Sequence, residues 1–186
     1  MADHHVDLRI YLENFVDSAS RFLLPARIER GTLLHRSGTV CRDLFIVHEG
    51  VCRSFYYRGG LDVTSHFTVD YGIISAIDSL LTRAPSKYSI EVLEDARVSR
   101  ISIEGYEKFL LTNPQHERSA RQLTQAIYLE LADRVESILF HRAEERYRAL
   151  TTRHPDIVNR VNLGHIASFL GISPETLSRI RKIKNE

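Results

Sequence analysis

Long apolar runs are missing from this chain. Nowhere in its 186 residues do about 18 consecutive apolar side chains occur, so nothing in the sequence reads as a membrane span. The opening residues Met1-Ala2-Asp3-His4-His5 lack the basic-then-apolar layout of a secretory signal, and a cytoplasmic location is expected. Cysteine is scarce. Cys41 and Cys52 are too few for a disulfide framework or a thiolate-held cluster. They read as reduced thiols, with a mutual bridge open only if neighbouring strands bring them together. No repeat, low-complexity segment or flexible linker interrupts the chain. P-loop, nucleophile elbow and dinucleotide fingerprint are absent. His35, His48 and His66 stand alone, without the His-x-His pair a cupin-type metal enzyme needs. No catalytic residue, metal or other cofactor is expected, and the protein does not read as an enzyme.

What is present is an ordinary globular composition, 43% hydrophobic and 26% charged. The net charge of +1 hides a polarity. From Phe140 to Glu186 there are nine basic and five acidic residues, so the C-terminal quarter is basic and the remainder acidic. That suits a tail that meets phosphates and a body that does something else.

Three zones of different periodicity follow one another. Leu8, Tyr11, Leu12 and Phe15 predict a short amphipathic helix over residues 6–15. From about Ala26 to Ile103, short alternating runs predict strands at 43–47, 51–57, 63–67, 88–93 and 97–103. They are separated by turns such as Arg58-Gly59-Gly60, the pattern of an all-β roll or sandwich. One short helix is expected over 76–83, closed by Pro85. Ser102 is placed to cap a helix at 104–111, which Asn113-Pro114 ends. A long helix then covers about 115–153, with a break near Phe140. Its stripe of Ala120, Leu123, Ile127, Leu131, Val135 and Ile138 is narrow and flanked by charge. It serves either to pack on the β-zone or as a two-fold dimer seam, and the narrowness favours the seam.

Residues 163–183 carry the strongest pattern. Asn162 can cap a helix whose inner face is Ile166, Ala167 and Leu170, and Gly171 supplies a left-handed turn. Ile172 plugs the turn, Ser173 caps a second helix, and Pro174 takes its first position. Leu177 and Ile180 face back onto the first helix. An ordinary helical hairpin would satisfy these spacings, but the offsets together predict a helix-turn-helix for double-stranded DNA. The second helix then turns Pro174, Glu175, Ser178, Arg179 and Lys182 outward, next to Ser173 and Thr176. Arg179 can pair with guanine O6 and N7, and Glu175 can accept from a cytosine amine. Arg181, Lys182, Lys184 and Asn162 suit phosphates.

These residues resemble the Crp/Fnr superfamily of bacterial transcription factors over nearly the whole chain. Gly31-Thr32-Leu33-Leu34 and Leu44-Phe45-Ile46-Val47-His48-Glu49-Gly50-Val51 resemble the opening strands of its cyclic-nucleotide-binding-type roll, and Ser173-Pro174-Glu175-Thr176-Leu177-Ser178-Arg179 its recognition helix. The resemblance implies an α+β chain. A double-stranded β-helix or jelly roll sensor spans 1–113, a dimerisation helix 114–139, and an all-α helix-turn-helix domain 140–186. It implies a homodimer, a TTGAT-like half-site, and RNA polymerase and a small effector within the range of partners. Ser75-Ala76 and Lys87-Tyr88 stand where the family's nucleotide-holding Gly-Glu and Arg-Ser/Thr pairs belong. They mark the expected effector pocket and speak against a cyclic nucleotide. The sequence ends soon after Ile183, leaving no room for the family's usual wing hairpin. A sensor or protein-interaction module without DNA binding is the alternative.

Overall fold

The computed structural model describes residues 8–184, with side chains described for residues 12–182. Helix α1, Leu8–Ser18, opens the chain, and Val6, which the sequence places in it, lies outside the described residues. Eight strands follow: β1 Leu24–Ile28, β2 Leu33–His35, β3 Asp43–Glu49, β4 Cys52–Arg58, β5 Leu61–Thr68, β6 Gly72–Ile74, β7 Ser89–Val92 and β8 Ala96–Ser102. Helix α2, Ile77–Thr82, lies between β6 and β7. The five strands predicted between 43 and 103 are all present, and β6 escaped prediction because three residues show no alternation.

The strands form two antiparallel four-stranded sheets, in the orders β1-β8-β3-β6 and β2-β7-β4-β5. Among the described residues no hydrogen-bonded ladder joins them, so the pair is a sandwich of open sheets and not a closed roll. Phe45, Val47, Cys52, Ile90, Val92 and Val98 fill the space between them. Ile46 and Ile101 point the other way, onto Leu12, Phe15 and Phe109 of α1 and α3. β3 is therefore covered on both faces, which is why it reads Leu44-Phe45-Ile46-Val47 without polar alternation. Gly50 turns the chain from β3 into β4 at φ +112°. A Cβ there would lie 2.6 Å from the Ala96 Cβ, so only glycine fits.

Helix α3, Ile103–Thr112, starts where its cap residue dictates, with Ser102 Oγ accepting from Gly105 N at 3.0 Å. The long helix expected over 115–153 is two helices, α4 Glu117–Phe140 and α5 Ala143–Arg153. The break falls at His141-Arg142, where Arg142 N donates to Glu145 Oε2 and starts α5 afresh. Helix α6, Pro155–Arg160, was not anticipated; Pro155 opens it. Two last helices, α7 Leu163–Leu170 and α8 Pro174–Lys184, end the described chain. No helix is long and apolar enough to cross a membrane among the described residues. Cys41 and Cys52 are buried and free, and burial pushes the Cys52 thiol up to about 12.

Candidate nucleic-acid interface

The α7–α8 pair is built by local rules the sequence states openly. Asn162 Oδ1 accepts from His165 N at 2.9 Å and starts α7. Gly171 ends it at φ 67°, and the N–H groups of Gly171 and Ile172 return to the carbonyls of Ser168 and Ala167. Ser173 Oγ accepts from Thr176 N at 3.2 Å and starts α8. Ile166, Ala167, Leu170, Leu177 and Ile180 close into one buried cluster.

The opposite side of α8 is open. Ser173, Glu175, Arg179, Arg181 and Lys182 are exposed, as is Asn162, and Thr176 and Ser178 are half-buried. Arg179 Nη2 donates to Thr176 Oγ1 at 3.3 Å, so its fork leans toward the N-terminal turn. The Glu175 carboxyl is held below its ordinary range by its own backbone N–H, by Ser173 and by the Arg179 charge. Glu175 is thus an acceptor at neutral pH, and Arg179 a donor fork one turn away.

Sequence reasoning missed how this pair is seated. The buried cluster of α7 and α8 also takes in Tyr147, Leu150 and Ile157 of α5 and α6, and Val51 and Phe67 of the body. β5 is an edge strand, and the Ser168 hydroxyl satisfies that edge by accepting from Thr64 N (2.7 Å) and donating to Asp62 O (3.1 Å). Arg53 of β4, 3% exposed, reaches Asp62 with both η nitrogens (2.6 and 2.7 Å), Glu91 from Nε (2.8 Å), Thr64 (3.2 Å) and His165 Nδ1 of α7 (2.9 Å). Burial opposes its charge, but the Asp62 and Glu91 hydrogen bonds outweigh it and raise its pKa. A second clamp runs the other way. Arg160 of α6 meets Asp70 through two nitrogens (2.7 and 3.0 Å) and also meets Glu94. Asp70 in turn accepts from Gly50 N at 2.6 Å. Of the two arginines only Arg160 falls in the basic tail that the sequence marks, and nothing in the sequence paired Arg53 with residue 165.

The expected effector residues each have partners within the chain. Ser75 Oγ donates to Asp43 O at 2.8 Å, and Ala76 is buried. Lys87 is exposed, with its Nζ 5.1 Å from the Tyr88 ring centroid. Beside Lys87 stands Asp78 of α2, a residue the sequence did not single out. It accepts from Ser86 Oγ (2.8 Å) and Lys87 N (3.4 Å), so donors that an anion would use already serve a carboxylate. Among the described residues no group of three or more His, Cys, Asp or Glu comes together to hold a metal.

Of the stripe on α4, Ala120 and Leu123 are buried against the chain's own body, at 8% and 7% exposure. Ile127, Leu131, Val135 and Ile138 are exposed, and Tyr128, Leu139 and Phe140 extend the same apolar face. Packing inward and presenting a free face are therefore divided along one helix.

This architecture has close parallels among solved structures. The c-di-GMP-responsive global regulator CLP of Xanthomonas campestris superposes with TM-score 0.68 at 14% identity, over 93% of this chain and 91% of that one. A CooA variant from Carboxydothermus hydrogenoformans superposes with TM-score 0.67 at 15% identity, over 87% and 76%. A Eubacterium rectale protein assigned to the Crp/Fnr family of transcriptional regulators gives 0.62 at 19%, over 90% and 80%. The chain has the Crp/Fnr fold. No protein-family profile matches the chain, and no curated protein sequence does at a significant level. The Crp/Fnr fold is thus carried here by pattern and packing, with little shared sequence.

Proposed function

We propose that the chain is a DNA-binding transcription regulator acting as a homodimer, with α8 as its reading helix. The observation that carries this is the two-sidedness of α8: Leu177 and Ile180 are buried, while Glu175, Arg179 and Lys182 lie open on a basic tail. The fold it shares with CLP and other regulators favours this over an enzyme. Arg179 pairs with a guanine and Glu175 with a cytosine amine, and Asn162, Arg181 and Lys182 hold phosphates. The free apolar face of α4, from Ile127 to Phe140, supplies the dimer seam, setting two α8 helices about 34 Å apart in successive major grooves. RNA polymerase and an effector seated in the β-sandwich belong to the same reading.

Binding to duplexes carrying paired TTGAT-like half-sites, followed against salt, tests it. Affinity is expected to fall steeply as salt rises, the mark of phosphate neutralisation. Arg179→Ala is expected to cost roughly 1–3 kcal/mol and relax preference at one base pair, whereas Lys182→Ala weakens all duplexes alike. Selection from a random duplex pool that yields no salt-dependent retention would sink the proposal.

A further inference from the structure

An arginine and a histidine meet across the joint between the β-sandwich and the C-terminal helices. Nη1 of Arg53, on β4, lies 2.9 Å from Nδ1 of His165, in the first turn of α7. A guanidinium can only donate, so Nδ1 is the acceptor and carries no proton. Protonation of that nitrogen would turn an N–H toward the guanidinium and set a second cation beside it. Arg53 is held in place, 3% exposed and bonded to Asp62, Glu91 and Thr64. The titrating partner is therefore the one that must leave.

The other charges around the joint have their own places. Asp62 of β5 and Glu91 of β7 favour a proton on His165, but both already accept from Arg53. Burial and the Arg53 charge oppose that proton more strongly. Arg134 of α4 meets α7 one turn further on, at Phe169, and Arg160 of α6 is engaged by Asp70 and Glu94. Helices α5 and α8 reach α7 through the apolar cluster of Tyr147, Leu150, Leu177 and Ile180.

We propose that Arg53 and His165 form an acid-operated latch, which docks α7 on the β-sandwich at neutral pH and releases α7 and α8 when His165 takes a proton. The β5 edge opens with it, because Ser168 of the same helix makes the hydrogen bonds to Thr64 and Asp62 that cover that edge. A released histidine has the ordinary value of 6.5 and the docked one a lower value, so acid favours release. The open fraction is expected to grow by at most about tenfold per pH unit below 6.5. The latch does not depend on the DNA-binding reading, and its test needs no duplex.

The test is amide hydrogen exchange of the full chain at about pH 7.5, 6.5 and 5.5, each rate divided by that of unstructured chain at the same pH. Protection of residues 163–171 and of the Thr64 amide is expected to fall by about three- to tenfold between the two lower values. That loss should exceed any change shared with β8. His165→Gln still offers Arg53 an oxygen but does not titrate, so its protection there should stay level. Protection at 163–171 that follows β8 at every pH overturns the proposal, and so does an acid loss that survives in His165→Gln. If that variant does not fold, NMR titration of the His165 imidazole in the natural chain decides. It should titrate below 6.5 in step with the loss of protection. A value at or above 6.5, or a ring that stays neutral until the whole chain unfolds, removes the latch.

Discussion

Arg53 shows how much one side chain can decide. It sits on the outer face of β4, stacked over the Phe55 ring at 4.1 Å, and meets carboxylates from β5 and β7 together with His165 of α7. Replacing it by methionine leaves Asp62 and Glu91 facing each other without a cation. Arg53→Met is expected to destabilise the chain by roughly 3 kcal/mol, read from the urea midpoint. That is the low end for a broken buried pair, because its partners keep about a third and a quarter of their exposure. If the midpoint does not move, the clamp contributes nothing to stability. Gly171 and Asn162, by contrast, act locally: one needs a left-handed φ and the other caps the next turn, so both could be named from the sequence.

Among the elements, α4 carries two tasks. Its first turns pack Ala120 and Leu123 inward, and from Ile127 to Phe140 it keeps apolar side chains in water. An exposed contiguous apolar face of this kind marks an interaction surface. Leu131→Glu or Val135→Glu is expected to shift sedimentation from dimer to monomer and leave the circular dichroism unchanged. A natural chain that is already monomeric at tens of micromolar would remove the seam. The stripe was legible because its helical period is strict. Which part of it is free was not, since that depends on where the β-sandwich ends. The split at His141-Arg142 was legible only approximately, as a break near Phe140.

For the whole molecule, buried and half-buried histidines in the sandwich and at the joint with the C-terminal helices make stability sensitive to acid. Burial holds His35, His48 and His165 below the ordinary value of 6.5, with the Arg97 and Arg53 charges adding to the effect at His48 and His165. As pH falls below 6.5, the unfolded chain therefore takes up protons at these positions before the folded chain does. More protons on the unfolded state means stability rises with pH. This contribution is complete above about pH 6.5 and is lost as pH falls through the lower folded values, by at most about 1.4 kcal/mol per pH unit for each histidine. The melting temperature should thus be level from pH 8 to 7 and fall below 6.5. His165→Gln should flatten that fall, and a slope unchanged in this variant would exclude His165. Below about pH 4, Asp70 adds a further loss, because the Arg160 hydrogen bond holds its carboxyl below the usual range.

The sequence by itself determined the features that rest on near neighbours. These are the helical and strand periods, the caps at Ser102, Asn162 and Ser173, the turn at Gly171, the apolar stripe and the basic tail. Each is set within a few residues by backbone geometry or by side chains on one face, so it can be read along the chain. Only the tertiary structure decided which partners meet across long separations. Arg53 finds His165, Ser168 closes the β5 edge, Asp78 takes the donors of Ser86 and Lys87, and Arg134 comes to rest over the Phe169 ring. These contacts follow from how sheets and helices stack. Interchangeable polar residues on exposed-looking strands carry no mark of what will cover them.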